Sequence, residues 1–257
     1  MLRPGSLAWL LCPLMCFHSG AAFAQKTPPP SEKISAAEIL KRHTAAMGGE
    51  ETVRNLQTLH VRGVVGVVNN RSYGDVNFYY QAPDRDVFRF ESPAYGLSAI
   101  GHSGGKPFQE FTRPSEGLVG MSGVALGAME IACLGMIEWA YEQNYTHIEL
   151  VGLSQVGGRW AYGLRFTSKY GDQQLRFFDS ESFFLARIVL LQRLGGDGAK
   201  PYSTYTVETT FSDYRTSGGI PFPMRFNVKD PRGNFYLEVH NVRQDEHLDG
   251  SIFTRNY

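Results

Sequence analysis

The sequence predicts a mainly β protein with a few helices (α+β): a long antiparallel meander interrupted once by an apolar helical segment. Three observations predict it. Apolar residues alternate with polar or small ones along Val61/Gly63/Val65/Val67, Val76/Phe78/Tyr80, Trp160/Tyr162/Leu164/Phe166, Leu175/Phe177, Tyr205/Val207/Thr209/Phe211, Phe222/Met224/Phe226 and Phe235/Leu237/Val239. This period of two marks strands with one buried and one wet face. Turn signals such as Asn69-Asn70, Pro83-Asp84, Gly104-Gly105, Gly157-Gly158, Gly171-Asp172, Gly195-Gly196, Gly218-Gly219 and Pro231-Arg232-Gly233 separate the runs. Spacing this short leaves no room for the crossover helices of a parallel sheet. Between the early and late strands, Gly117–Ala140 is the most apolar run after the first two dozen residues.

The first 24 residues read as a secretory signal: Arg3 gives a positive start, Leu7 to Phe17 an apolar stretch, and Ala22-Phe23-Ala24 a small-x-small cleavage site. Cys16 follows Pro13-Leu14-Met15 rather than small residues, so a lipid anchor is not expected and the exported chain begins at Gln25. Of the 25 basic residues Arg3 is then lost, leaving 24 against 25 acidic ones and a net charge of −1; of the 3 cysteines only Cys133 remains. No internal disulfide is possible. The balanced charge, without basic clusters, carries no footprint for nucleic acid or anionic membrane.

Residues 25–34 form a proline-rich leader, TPPPSEK at its centre, expected to stay extended. From residue 35 to 257 a single domain is predicted. Its first element is a helix: Ser35 caps, Glu38 completes a capping box, and Ile34 with Ile39 forms a staple. Ile39, Leu40, His43 and Met47 share one face before Gly48-Gly49 stops the helix. A second short helix is predicted over Glu51–Leu56.

The apolar segment is too acidic and too glycine-rich to span a membrane, which takes roughly 20 apolar residues: Glu116 borders it, Glu130 lies mid-segment and Glu138 near its end. Leu118, Met121, Ala125, Met129, Ala132, Met136 and Trp139 recur at three- and four-residue steps, a helical stripe strongest from about Leu126 onward. Packing on the sheet as ordinary core is one reading. The other is a plug or lid over a hydrophobic cavity, since one helix cannot cover about ten strands and methionines adapt to varied apolar guests.

Several segments, in order, resemble the lipoprotein-sorting carriers of the Gram-negative periplasm, the LolA/LolB-like superfamily. These are AAEILKRHTAAMGGEETVRNLQTLHVRG (Ala36–Gly63), FYYQAPDRDVFRFESP (Phe78–Pro93), GGKPFQEFTRP (Gly104–Pro114), FFDSESFFLARI (Phe177–Ile188), FSDYRTSGGIPFPMRFNV (Phe211–Val228) and the tail SIFTRNY. The resemblance implies an unclosed antiparallel β-barrel, a half-barrel, covered by a helical lid formed here by Gly117–Ala140. It also implies a monomeric periplasmic carrier that shields the acyl chains of a lipoprotein or other lipid without a cofactor, with handover partners at the inner or outer membrane. The expected lid positions are Met129, Ala132, Met136 and Trp139; the expected inward positions are Phe78, Phe88, Phe90, Tyr162, Phe166 and Phe177. In the family, an arginine before the turn proline helps hold the lid closed. Here that position is Ala82, with Arg85 and Arg89 nearby.

Competing chemistry is thin. Gly101-His102-Ser103-Gly104-Gly105 matches G-x-S-x-G, but a nucleophile elbow needs a helix after the serine, and Lys106-Pro107-Phe108 and Pro114 oppose one. A glycine-rich hairpin accounts for the same letters, leaving a Ser103 esterase or a ligand-free envelope scaffold as alternative functions. The six histidines after the signal show no metal-ligand spacing, so no metal or catalytic site is predicted. Cys133 is expected to be a buried hydrophobe. Glu130 is expected at the helix's wet edge, a functional buried carboxylate being the alternative. Asp179-Ser180-Glu181 reads as a solvated acidic turn.

Overall fold

The computed structural model describes residues 34–68, 73–92, 96–111, 126–194, 203–231 and 233–254. The expected signal, most of the leader, the Asn69-Asn70 and Gly195-Gly196 turns, and Leu118, Met121 and Ala125 lie outside the described residues.

Among the described residues, twelve antiparallel strands form one sheet in the order β5-β4-β3-β2-β1-β12-β11-β10-β9-β8-β7-β6. Two meanders build it. The first runs from β1 (Thr58–Val67) through β2 (Tyr73–Gln81), β3 (Arg85–Ser92) and β4 (Gly96–Ser103) to β5 (Lys106–Phe111). The second starts at the far edge with β6 (Tyr145–Val156) and returns through β7 (Arg159–Ser168), β8 (Gln173–Asp179), β9 (Leu185–Leu194), β10 (Ser203–Ser217) and β11 (Ile220–Asp230) to β12 (Gly233–Gln244). There β12 pairs with β1, Leu59 opposite Gln244 and Val67 opposite Phe235. Edges β5 and β6 do not pair, so the barrel stays open.

Because the meanders end at opposite edges, the chain between β5 and β6 must cross the whole sheet. The crossing carries α3 (Leu126–Gly135) and the short α4 (Tyr141–Asn144). Helix α3 touches β3 and β4 on one side and β10 on the other. At a strand spacing of about 4.8 Å, β3 and β10 would be about 24 Å apart in a flat sheet, whereas ten helical residues reach only about 15 Å. The sheet therefore curls around the helix.

The main core lies on this inner face: Val76, Phe78, Phe88, Phe90, Leu164, Phe166, Phe178, Ile188, Phe222 and Phe226 pack with Ala128, Met129, Ala132, Cys133 and Met136 of the crossing segment. Mid-helix Cys133 is buried as expected, and burial holds its thiol well above its ordinary range. A smaller core forms on the outer face, where Leu248 and Phe253, the latter in a C-terminal 3-10 turn (Gly250–Phe253), cover Val87 and Ala99. Adjacent residues of β3 thus serve opposite faces, Val87 outward and Phe88 inward.

Helix α1 (Ala36–Ala46) starts where the cap predicts: the Glu38 amide donates to Ser35 Oγ over 3.1 Å. The Glu38 carboxylate turns instead to Arg42, 2.7 Å away, so the capping box is only half made. Helix α2 spans Glu50–Arg54, one residue earlier at its start and two shorter at its end than expected. On the α1 core face, buried His43 donates through Nδ1 to the Phe183 carbonyl at 2.9 Å and tilts against the Phe178 ring. Burial lowers its pKa from 6.5 to about 4. In the unfolded chain the imidazole takes a proton below pH 6.5, which the folded protein refuses until about pH 4. Stability from this group is therefore complete above pH 6.5 and falls through that window, by about 3 kcal/mol in total. Urea midpoints between pH 7 and pH 4.5 should fall more steeply for the wild type than for His43→Asn; parallel profiles would remove the assignment.

The β8–β9 turn shows what Asp179 and Ser182 do. Asp179 is buried rather than solvated. Its Oδ1 accepts from the Glu181 and Ser182 amides at 3.1 and 2.8 Å and from Ser182 Oγ at 2.9 Å, while Arg159 reaches both carboxylate oxygens at 2.6 and 2.8 Å. Burial works to raise Asp179, and these donors overcome it, bringing the pKa down to about 2.

Candidate functional site

The inner face and the segment that crosses it form the candidate site. Its residues come from strands whose alternation places every second side chain inward. Phe78 of β2, Phe88 and Phe90 of β3, Tyr162 and Phe166 of β7 are all buried in the main core. Met129, Ala132 and Met136 meet them from the crossing segment, and Trp139 packs against the same core while only partly buried. Nine of the ten expected positions thus come together. Phe177 does not: its ring lies on the outer face, 3.8 Å beneath the Arg187 guanidinium and opposite Gly163, where a β-carbon would strike it. The inward residues of β8 are Arg176 and Phe178. Two adjacent phenylalanines fit either parity, and a one-residue slip exchanges the faces.

Arg176 is the residue that sequence reasoning passed over. It lies on the inner face at 2 % exposure. Its Nη1 donates to Glu138 Oε2 at 2.6 Å, its Nη2 to Tyr145 Oη at 2.5 Å, and its guanidinium stacks 4.5 Å above the Phe166 ring. Burial works against the charged guanidinium, and the Glu138 carboxylate more than offsets it, raising the pKa above the ordinary arginine value. Glu138 lies just after α3, so this buried pair ties the crossing segment to β8. The two arginines near Ala82 do other work. Arg85 bonds Gln81 at the exposed start of β3, and Arg89 donates to the Ile252 carbonyl on the outer face.

A second tie sits toward the opposite edge. Asp86 and His102 are direct partners across β3 and β4, and α3 lowers Glu130 onto them. His102 Nδ1 lies 3.1 Å from Asp86 Oδ1 and 3.5 Å from Glu130 Oε1. Glu130 is therefore inside the protein at 4 % exposure, not at a wet edge. Burial, with Asp86 close by, raises its pKa, and the two carboxylates in turn raise that of His102. A third contact completes the set: Tyr214 Oη of β10 lies 3.4 Å from Met136 Sδ and donates to the Leu185 carbonyl at 2.6 Å.

Beside the Arg176–Glu138 tie lies an open cleft of about 640 Å³ between α1 and the α4–β6 junction, lined among others by Leu40, Ala45, Trp139, Tyr141, Tyr145 and Ile148. Its volume falls within the range of small-molecule sites, about 300–1,000 Å³. Trp139 alone of the expected site residues reaches it.

The Gly101–Gly105 motif is strand, turn and strand: β4 ends at Ser103 and β5 begins at Lys106. The strand-to-helix geometry of a nucleophile elbow is not formed there. Among the described residues, no helix is long and apolar enough to cross a membrane.

No family model and no curated protein matches the sequence. Solved structures do. A LolA superfamily protein from Nitrosomonas europaea superposes with a TM-score of 0.52 at 14% identity, over 86% of this chain and 98% of that one. A DUF1329 family protein from Desulfovibrio piger does so with a TM-score of 0.50 at 14% identity, over 85% and 96%. With twelve antiparallel strands left unclosed and helices on the inner face, the chain is LolA-like in fold, a divergent half-barrel of that type.

Proposed function

We propose that the chain is a periplasmic carrier or binding protein that sequesters the acyl chains of a lipoprotein or another lipid on its inner face. The observation that carries this reading is how the inner face is covered. One ten-residue helix, bearing methionine and small residues, lies over an aromatic sheet, held by polar ties at its middle through Glu130 and just past its end through Glu138. In this closed arrangement the protein fills its own interior. Ligand binding is then an exchange: acyl chain replaces Met129, Ala132 and Met136 against Phe78, Phe88, Phe90, Tyr162 and Phe166. Each buried methylene contributes about 0.8 kcal/mol, against the cost of undoing the ties. The cleft at Trp139 is the entrance. The fold likeness and the sequence resemblance to lipoprotein-sorting carriers support the reading, with donor and acceptor partners at the two membranes and a monomeric carrier between them.

The test is titration with a dansyl-labelled fatty acid. Saturable, blue-shifted fluorescence competed by palmitate is expected, together with a melting temperature that rises with ligand concentration. Trp139→Ala should weaken binding, whereas Leu191→Ser, at an exposed position of β9, should leave it unchanged. No saturable binding, with melting indifferent to lipid, would establish instead a ligand-free envelope scaffold.

A further inference from the structure

The cluster of Asp86, His102 and Glu130 holds more than the closure of the helix requires. Three elements, β3, β4 and α3, converge on it, and one ligand atom from each residue lies within 4.8 Å of the others. Asp86 and Glu130 are 5 % and 4 % exposed. Even so, Asp86 Oδ2 and Glu130 Oε1 are buried without a hydrogen-bond donor. A single imidazolium supplies one positive charge to two carboxylates, and a buried acceptor left without a donor is costly.

A divalent cation answers both deficits: its charge balances two carboxylates, it bonds Glu130 Oε1, which lacks a donor, and Asp86 can offer it either carboxylate oxygen. The spacing fits. With zinc–nitrogen and zinc–oxygen bonds of about 2.0–2.2 Å, neighbouring ligand atoms on a tetrahedral ion lie about 3.3–3.5 Å apart. The Nδ1–Oδ1 and Nδ1–Oε1 separations are 3.1 and 3.5 Å. An imidazole nitrogen in the set favours a first-row transition ion over calcium or magnesium, which take oxygen ligands.

We propose that Asp86, His102 and Glu130 form a three-ligand site for a first-row divalent cation, with Zn²⁺ the ion best suited to the donors. His102 is half-exposed, so the site is reached from its side, where a fourth position stays open to water. Residues 16 and 28 apart along β4 and α3 bring no local spacing to the sequence, which is why the histidines looked unrelated. A bound ion would also fasten α3 to the β3–β4 hairpin. That consequence rests on the acyl-exchange reading; the binding of the ion does not.

The experiment uses the full chain from Gln25, stripped with chelator and titrated with ZnCl₂ by calorimetry and with Co²⁺ by visible absorption. One equivalent should bind, Co²⁺ should develop d–d bands, and melting should shift upward and return with EDTA. His102→Ala and Glu130→Gln should each weaken binding at least about 100-fold, since even loss of an outer-shell partner of a metal ligand costs about 10–100-fold. His147→Ala, on an exposed stretch of β6, should not. If Glu130→Gln fails to fold, the half-exposed His102→Ala decides alone. Absence of stoichiometric binding, or binding undiminished in His102→Ala, overturns the site. Titrating the metal-free protein with dansyl fatty acid separates the two readings: zinc binding without probe binding removes the carrier and keeps the metal site.

Discussion

Replacing Arg176 by methionine is expected to lower stability by about 3–5 kcal/mol, the usual cost of removing one partner of a buried ion pair. For a chain of this size that is a melting shift on the order of 10 °C. The cause is the charge left behind. Glu138 has a side chain only 13% exposed and would keep only Asn144 at 2.8 Å and Tyr145 at 3.4 Å as donors. The same change should free the crossing segment, so dansyl fatty acid should associate faster with the variant than with the wild type. Glu138→Gln combined with Arg176→Met should cost less than the two single changes summed, because the double variant leaves neither charge buried alone. A loss below about 1 kcal/mol in Arg176→Met would mean that the pair does not hold the cover.

Phe166→Ala should be equally damaging, about 3–5 kcal/mol, through the cavity left at a fully buried ring. This ring supports the tie from below: it meets Tyr145 edge-on at 4.9 Å and Tyr141 at 5.9 Å, and carries the Arg176 guanidinium on its face. A desolvated cation over an aromatic face contributes about 2 kcal/mol. The double variant with Arg176→Met should therefore show a coupling of about 1–2 kcal/mol in chemical denaturation. Phe177→Ala, one face away, should be additive with Arg176→Met. Additivity in the Phe166 cycle would detach the ring from the tie.

The fold was largely legible where one face of a strand is buried and the other wet. β2, β10, the second half of β11 and β12 alternate, the cap at Ser35 falls where the letters place it, and the expected stripe is helical over Leu126–Gly135. β6 escaped because it is an edge strand exposed along most of its length, with Leu150, Val151 and Leu153 in solvent, so no face is selected. β9, LARIVLLQRL, hides its period in a nearly continuous apolar run. The site was legible as apolar surface and illegible as polar ties. A buried arginine and a buried glutamate run against residue-type expectation. What pulls each inward lies far along the chain: Glu138 is 38 residues from Arg176, and His102 is 28 residues from Glu130. Ala82 stands where the resembled family has its arginine, and the buried arginine bonded to the crossing segment is instead Arg176, on the other half of the sheet.

The seam between β1 and β12 has a consequence for assembly. Residues near the start of the folded region, from Leu59, are zipped to residues as late as Gln244. The middle of the sheet is thus its last part to be made. Until the final strand arrives, the growing chain must hold two unfinished hairpin stacks, each with a bare edge. Pairings so distant in sequence make for slow folding and prolonged exposure of oily edges.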